Sequence, residues 1–230
     1  MSISDSLAKL NHSRFSDFND QPEKAAGWAF DGPAHKALDV ASLSTSELEY
    51  AQESVITLSG LYGFLRVRDA LRPYRLEMGT KLETSRGSSL YAFWGDRIAG
   101  ELAAVLRELP EEERFVVNVA SGEYWKAVGQ HEKVLGAPVY TIAFPGASVY
   151  AKQARGAFCR FMCCENVKTP DGLKRFAEWS TAGGGPGKYK LVDNKDKYTL
   201  EFHRTGGNDK PKAKAKAAPK AEPKAKRVKK

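Results

Sequence analysis

Two short runs, "FVVNVA" (115–120) and "VYTIAF" (139–144), are apolar almost without a break, and they most constrain the fold. A continuous apolar run of this length is of buried-strand type. Helical patterns surround both runs. Ser88 and Ser89 cap a predicted long helix whose apolar positions Trp94, Ile98, Leu102, Val105 and Leu109 recur at spacings of three and four, with Pro110 ending it. A second long helix is predicted over about 150–166, with Ala154, Phe158, Phe161, Met162 and Glu165 along one side. Lys152, Arg155, Gly156, Cys159 and Cys163 follow another side. Strands and helices alternate only in part. The fold class expected is therefore mixed α/β (α+β): a single domain with a mixed central sheet flanked by helices.

Other signals fill in the order. Ser44 to Glu47 reads as a capping box opening a helix to about Ser54. "VITLSGLYGFL" (55–65) reads as one buried strand with close backbone approach at Gly60 and Gly63. Thr169 and Pro170 open a short helix. "GGGPG" (183–187) is a loop, and "KYKLV" and "YTLEFH" flank 193–197 as a hairpin. With 230 residues, 42% of them hydrophobic, one core is affordable.

Charge separates a domain from a tail. Residues 210–230 hold nine Lys and one Arg against one Glu, a net of +9. The whole chain is +8, so residues 1–209 sum to −1. From residue 208 the chain is Lys, Ala and Pro without periodicity, a composition that cannot bury enough apolar surface to fold. The expected division is a domain over 1–207 and a disordered basic tail over 208–230. No apolar run approaches the ~18 residues needed to span a bilayer, and the start lacks a secretory pattern. A cytoplasmic location with no membrane partner is expected. Cys159, Cys163 and Cys164 argue against a disulfide framework and read as small helix-packing residues. His12, His35, His131 and His203 lack metal-ligand spacing, so neither a metal nor a cofactor is expected.

Three stretches carry charges that core packing does not require. "LRPYRLEMGTKLE" (71–83), with Arg66 and Arg68 just before it, gathers Arg72, Tyr74, Arg75 and Glu77 in a loop. In "NVASGEYWK" (118–126) a strand ends at Ser121 and Gly122, where free backbone N–H groups attract anions. Glu123, Tyr124 and Lys126 stand beside them. In "YAKQARG" (150–156), Lys152 and Arg155 point the same way on a helix, and Gly156 lets a ligand or a backbone come close. A cleft of this composition suits phosphate or carboxylate oxygens. Solvated faces and local ion pairs are the competing reading, with Arg75 and Glu77 pairing each other.

"LSGLYGFLRVRDALRPYRLEMGTKLE", "LYAFWGD", "NVASGEYWKAV" and "YAKQARG" closely resemble, in order and spacing, the motifs of the YaaA peroxide-stress protein family. The resemblance runs from about residue 3 to residue 204. It implies a cytoplasmic protein induced by hydrogen peroxide that limits free intracellular iron and spares DNA and protein. It also implies a mixed α/β fold similar to DNA-binding proteins, with a positively charged cleft and a helix-hairpin-helix-like element, and no assigned reaction. The residues matching the cleft motifs are Arg66, Arg72, Tyr74, Arg75, Glu77 and Met78, then Trp94 and Asp96. Ser121, Glu123, Tyr124 and Lys126, then Lys152 and Arg155, match the remainder.

The chain departs from the family pattern in four places. Members usually begin with an apolar strand and a Ser-Pro-Ala-Lys-Thr motif some sixty residues before "ISDSLAKLNHSRF", and the chain lacks that segment. "FDGPAH" (30–35) has Pro33 where Asp is expected. "LAKLN" (7–11) supplies none of the hairpin glycines. The basic tail is extra. The expected function is a peroxide-stress protein, a monomer, that binds DNA without sequence preference through the cleft and residues 208–230. The alternative is an enzyme acting on a phosphorylated or nucleotide-like small molecule, with Glu77, Asp96 or Glu123 in acid–base roles. Direct iron handling is a third, weaker class.

Overall fold

The structure, a computed structural model, describes residues 4–185, 187–192 and 196–206. The expected tail lies outside the described residues. Helix α1 (Asp5–Ser16) is capped by Ser4 and buries one residue, Asn11. Strand β1 (Lys24–Ala25), α2 (Ala26–Ala29) and α3 (Pro33–Leu38) follow. Helix α4 (Thr45–Ser54) begins with the expected capping box: Glu47 N–H donates to Ser44 Oγ and Ser44 N–H to Glu47 Oε2. Next come β2 (Thr57–Ser59), β3 (Gly63–Leu65), β4 (Ala70–Leu71), α5 (Leu90–Trp94) and α6 (Arg97–Glu108). The second half holds β5 (Val116–Asn118), α7 (Gly122–Gly129), β6 (Val139–Ala143), α8 (Ser148–Cys164) and α9 (Phe176–Thr181). It ends with β7 (Lys188–Val192) and β8 (Thr199–Thr205).

The main sheet has the order β5-β6-β8-β7. β5, β6 and β8 are parallel, with Val117 opposite Tyr140 and Ile142 opposite Leu200. β7 closes on β8 as the expected antiparallel hairpin. The sheet is thus mixed, as the incomplete alternation of elements predicted. Two smaller antiparallel pairs, β1 with β4 and β2 with β3, lie outside it.

The uninterrupted apolar run of β5 is explained by cover on both faces. Phe115, Val117 and Val119 pack on an aromatic cluster built from Phe144, Phe158, Phe161, Phe176, Tyr189 and Phe202. Val116 packs on the opposite cluster, around Ile98, Leu106, Val128 and Leu135. The Phe158 and Phe176 rings stand 4.8 Å apart. Each such fully buried ring contributes roughly 2 kcal/mol by burial alone.

Two expectations are corrected. Residues 55–65 do not form one strand. Ser59 Oγ accepts the N–H groups of Leu61 and Tyr62, which closes a tight turn and folds the run into the β2/β3 hairpin. The helix expected from Ser89 to Leu109 is broken. Gly95 (φ 52°, ψ −130°) takes a conformation that L side chains rarely adopt, so α5 stops at Trp94 and α6 restarts at Arg97. The apolar period carries straight across this break, which is why spacing alone could not reveal it.

Candidate anion-binding site

The loop of residues 71–83 is held by polar side chains rather than by a regular ladder. Asn11, buried under α1, clasps Arg75 from both sides. Its Nδ2 donates to Arg75 O at 3.0 Å and its Oδ1 accepts from Arg75 N at 2.9 Å. Ser59 and Tyr74 share a hydrogen bond of 2.5 Å, and the Tyr62 ring meets Tyr74 edge-on at 5.5 Å. Tyr62 OH accepts from Arg72 N–H at 2.9 Å. Sequence reasoning did not single out Asn11, Ser59 or Tyr62 as partners of the loop. Asn11 carries no local signal at all, because its partner lies 64 residues away.

The loop then meets the start of α7. Gly79 N–H donates to Glu123 Oε1 at 2.9 Å, and Tyr91 OH donates to Glu123 O at 2.9 Å. Tyr124 hydrogen-bonds the Met78 backbone, and its phenol is pushed up to about 12. Burial is the main cause, followed by Tyr74, Glu123 and Glu77. Lys126 Nζ lies 4.6 Å from the centre of the Tyr91 ring. Trp94 Nε1 donates to Gly60 O at 3.0 Å, pinning α5 to the β2/β3 turn. Tyr74, Glu77, Glu123, Tyr124, Lys126 and Trp94 are therefore one connected assembly.

Charge there is largely spent internally. Arg75 Nη2 pairs Glu77 Oε1 at 2.9 Å. Arg72 turns to the 18–23 segment, pairing Glu23 at 3.0 Å and donating to Gln21 O at 3.3 Å. Arg66 has its backbone N–H held by Asp69 Oδ2, and its side chain makes no hydrogen bond or ion pair among the described residues. Asp96 is exposed at the head of α6, and Ser121 heads α7 without a side-chain cap bond.

Lys152 and Arg155 differ from the loop cations. β5 leads into α7 and β6 into α8, and the two strands are parallel neighbours. The starts of α7 and α8 thus lie at the same end of the sheet, the carboxyl end, where open α/β sheets place ligands. Arg204, late in β8, lies 4.1 Å from the ring centre of Tyr150 and marks that same end. Lys152, Arg155, Cys159 and Met162 form one helical stripe by their spacing of three and four. Cys159 and Met162 line a cavity that also touches Asn118, Ala120 and Trp125. The stripe therefore runs along the side where β5 ends and α7 begins. Arg155 is half-buried, its Nε is shielded from solvent without a hydrogen-bond partner, and burial pulls its pKa below the ordinary guanidinium value. Arg75 Nε is shielded and unpartnered in the same way, but Arg75 Nη2 already holds Glu77, whereas the Arg155 guanidinium holds no carboxylate among the described residues and so suits an oxyanion. Gly156 is accounted for differently. A Cβ there would sit 1.8 Å from Ala34 O, so the close approach it permits is that of the α3 backbone.

The sequence pattern of the peroxide stress protein YaaA family matches residues 1–181. A UPF0246 protein of Burkholderia lata is 46% identical over 189 residues, covering 77% of this chain and 72% of that protein. UPF0246 proteins of Burkholderia cenocepacia strain HI2424 and Burkholderia mallei strain SAVP1 are each 45% identical over the same extents. The chain belongs to the YaaA peroxide stress protein family. Among the described residues no helix is long and apolar enough to cross a membrane, and no cluster of three or more His, Cys, Asp or Glu is placed to hold a metal. The thiol of Cys159 is pushed up to about 12 by burial and that of Cys164 to about 11 by burial and Glu47; burial raises that of Cys163 as well.

Proposed function

We propose that this YaaA family member serves peroxide defence by binding the phosphate backbone of DNA, and in that way shields DNA and protein and limits free intracellular iron. One observation carries the phosphate reading: Lys152 and Arg155 stand on one stripe of α8 at the carboxyl end of the parallel strands, with Arg155 Nε shielded and unpartnered. The N-terminus of α7, an eight-residue helix, opens at the same end and adds free backbone N–H groups. The loop cations act as a frame, since Arg72 and Arg75 already hold carboxylates.

Replacing Lys152 and Arg155 together by Ala in the full chain should weaken duplex binding by roughly tenfold or more at low salt. It should also lower the salt slope by about two. Circular dichroism should report unchanged folding, because neither side chain holds another residue by a hydrogen bond or ion pair among the described residues. Unchanged affinity and slope would remove the DNA reading for this site.

The burial of Arg155 favours a second reading, a small phosphorylated ligand, because a half-buried guanidinium suits one phosphate group better than a duplex. Glu77, Glu123 and Asp96 would then supply acid–base groups, with Glu123 fixed by Gly79. Competition decides between the two. A nucleoside monophosphate that displaces DNA only through Arg155, yet binds the Arg155→Ala chain far more weakly, would favour the small ligand.

A further inference from the structure

Arg72 and Arg75 both face a carboxylate, yet the two contacts differ in kind. Arg75 Nη2 donates an aligned hydrogen bond to Glu77 Oε1 at 2.9 Å. Arg72 Nη2 lies 3.0 Å from Glu23 Oε1, but no aligned hydrogen bond joins them among the described residues. The Arg72 side chain is held by other means. Its Nε donates to Gln21 O at 3.3 Å, and its Cζ lies 5.8 Å from the centre of the Phe18 ring. Its backbone N–H is fixed by Tyr62 OH, and Pro73 stiffens the chain just beyond. The guanidinium fork therefore keeps its place whether or not Glu23 stays on it. Register brings Glu23 there. Lys24 pairs with Leu71 in the antiparallel β1/β4 ladder, so Glu23 falls opposite Arg72 one step further on. Its side chain is half-exposed, and exposed pairs of this kind contribute little and weaken with salt.

We propose that Glu23 is a tethered stand-in for phosphate, occupying Arg72 until a phosphate group displaces it and so restraining phosphate binding by the loop. The inference rests on the phosphate reading above and adds its regulation. Glu23 leaves both Nη groups of Arg72 without an aligned acceptor among the described residues, whereas two phosphate oxygens can take both at once. Local charge favours the exchange. In the 23–25 and 63–72 segments Lys24, Arg66, Arg68 and Arg72 stand against Glu23 and Asp69, and Asp69 is turned to the Arg66 N–H. Displaced, Glu23 stays beside the site on the chain leading into β1, so it returns when the phosphate leaves. Arg75 takes no part, because Glu77 holds it by an aligned bond. The salt dependence carries the signature. A bound phosphate releases counterions, but a freed Glu23 takes one up, so Arg72 adds little to the slope while Glu23 is present.

Two measurements on the full chain test this. In the first, a short DNA duplex is titrated at several salt concentrations. Glu23→Gln should tighten binding by about threefold or more at low salt and steepen the salt slope by about one, because Arg72 then gains a phosphate without losing a carboxylate. Glu101→Gln makes the same charge change on the exposed face of α6, where Glu101 has no ion-pair partner among the described residues. Equal gains from both variants would reduce the effect to net charge and overturn the proposal. Adding Arg72→Gln to Glu23→Gln should cancel the gain; a gain that persists overturns Arg72 as the receiver. The second measurement needs no variant. Inorganic phosphate, titrated against chloride at equal ionic strength, should shift the nuclear magnetic resonance signal of Arg72 Nε–H. An unmoved signal overturns the proposal even where the duplex binds and the α8 variant weakens it. A shift with phosphate, in a chain that binds no duplex, keeps the Glu23 exchange and removes the DNA reading instead.

Discussion

Cys159, Cys163 and Cys164 stand next to one another on α8, yet burial raises all three thiols above their ordinary value of 9.0. The thiolate is the form that attacks peroxide, so a chain that keeps these groups neutral keeps them unreactive. Arg155, one turn before Cys159, does not appear among the causes acting on that thiol. Replacing all three by Ser should therefore leave peroxide protection in cells largely intact; its loss with folded protein retained would restore a redox role. The sign of the pH effect follows from the same groups. Their folded pKa values lie above the unfolded ones, so the stabilising preference for the neutral thiol is fully present below pH 9 and is lost as pH rises through the folded values. The urea midpoint should accordingly fall between pH 8 and pH 11, and alkylation at pH 8 should be at least about tenfold slower in the native chain than in urea. Equal alkylation rates would mean that the thiols are accessible. These packing roles were legible from spacing alone. The clasp of Arg75 by Asn11 was not, since a partner 64 residues distant leaves no mark on either neighbourhood.

Elements whose order is set by local signals were readable: the capping box of α4, the runs of β5 and β6, the β7/β8 hairpin. Elements set by a single backbone angle or a single hydroxyl were not. The Gly95 break interrupts no apolar period, and the turn after Ser59 is closed by a side chain that reads as an ordinary strand residue. Of the candidate site, sequence gave the residue types and their grouping into three segments. The Arg75–Glu77 pair, raised as the competing reading, is present, but the Arg72–Glu23 pair was not legible, because it depends on where Glu23 comes to rest. The α3–α8 contact is the sharpest test at this scale. A methyl group at residue 156 would press on Ala34 O at 1.8 Å, an atom fixed in backbone. Gly156→Ala should cost about 3 kcal/mol or more and lower Tm by roughly 6–12 °C. A Tm within about 2 °C of the parent chain would show that α3 can slide away on α8 at little cost.

At the scale of the whole molecule, two charge distributions work at different ranges. Residues 1–209 sum to −1 while 210–230 carry +9, so on the proposed reading long-range attraction for DNA would come from residues 210–230 and a site in the domain would act locally. Each phosphate the tail neutralises releases counterions, and its Lys, Ala and Pro offer no base-reading fork or stacking ring, so the binding it adds should ignore sequence. Deleting 208–230 should leave the melting curve unchanged, weaken duplex binding at low salt by at least roughly tenfold and flatten the salt dependence. The cleft variant lacking Lys152 and Arg155 should act differently, removing about two phosphate contacts while the tail's larger slope persists. The combined variant then separates the two contributions, since distant and independent sites add. Electrophoretic titrations of all four proteins at two salt concentrations read the result. Equal affinity and slope for the full and tail-deleted chains would show that the tail does not bind DNA, and would leave the α8 stripe as the site to test with a small phosphorylated ligand.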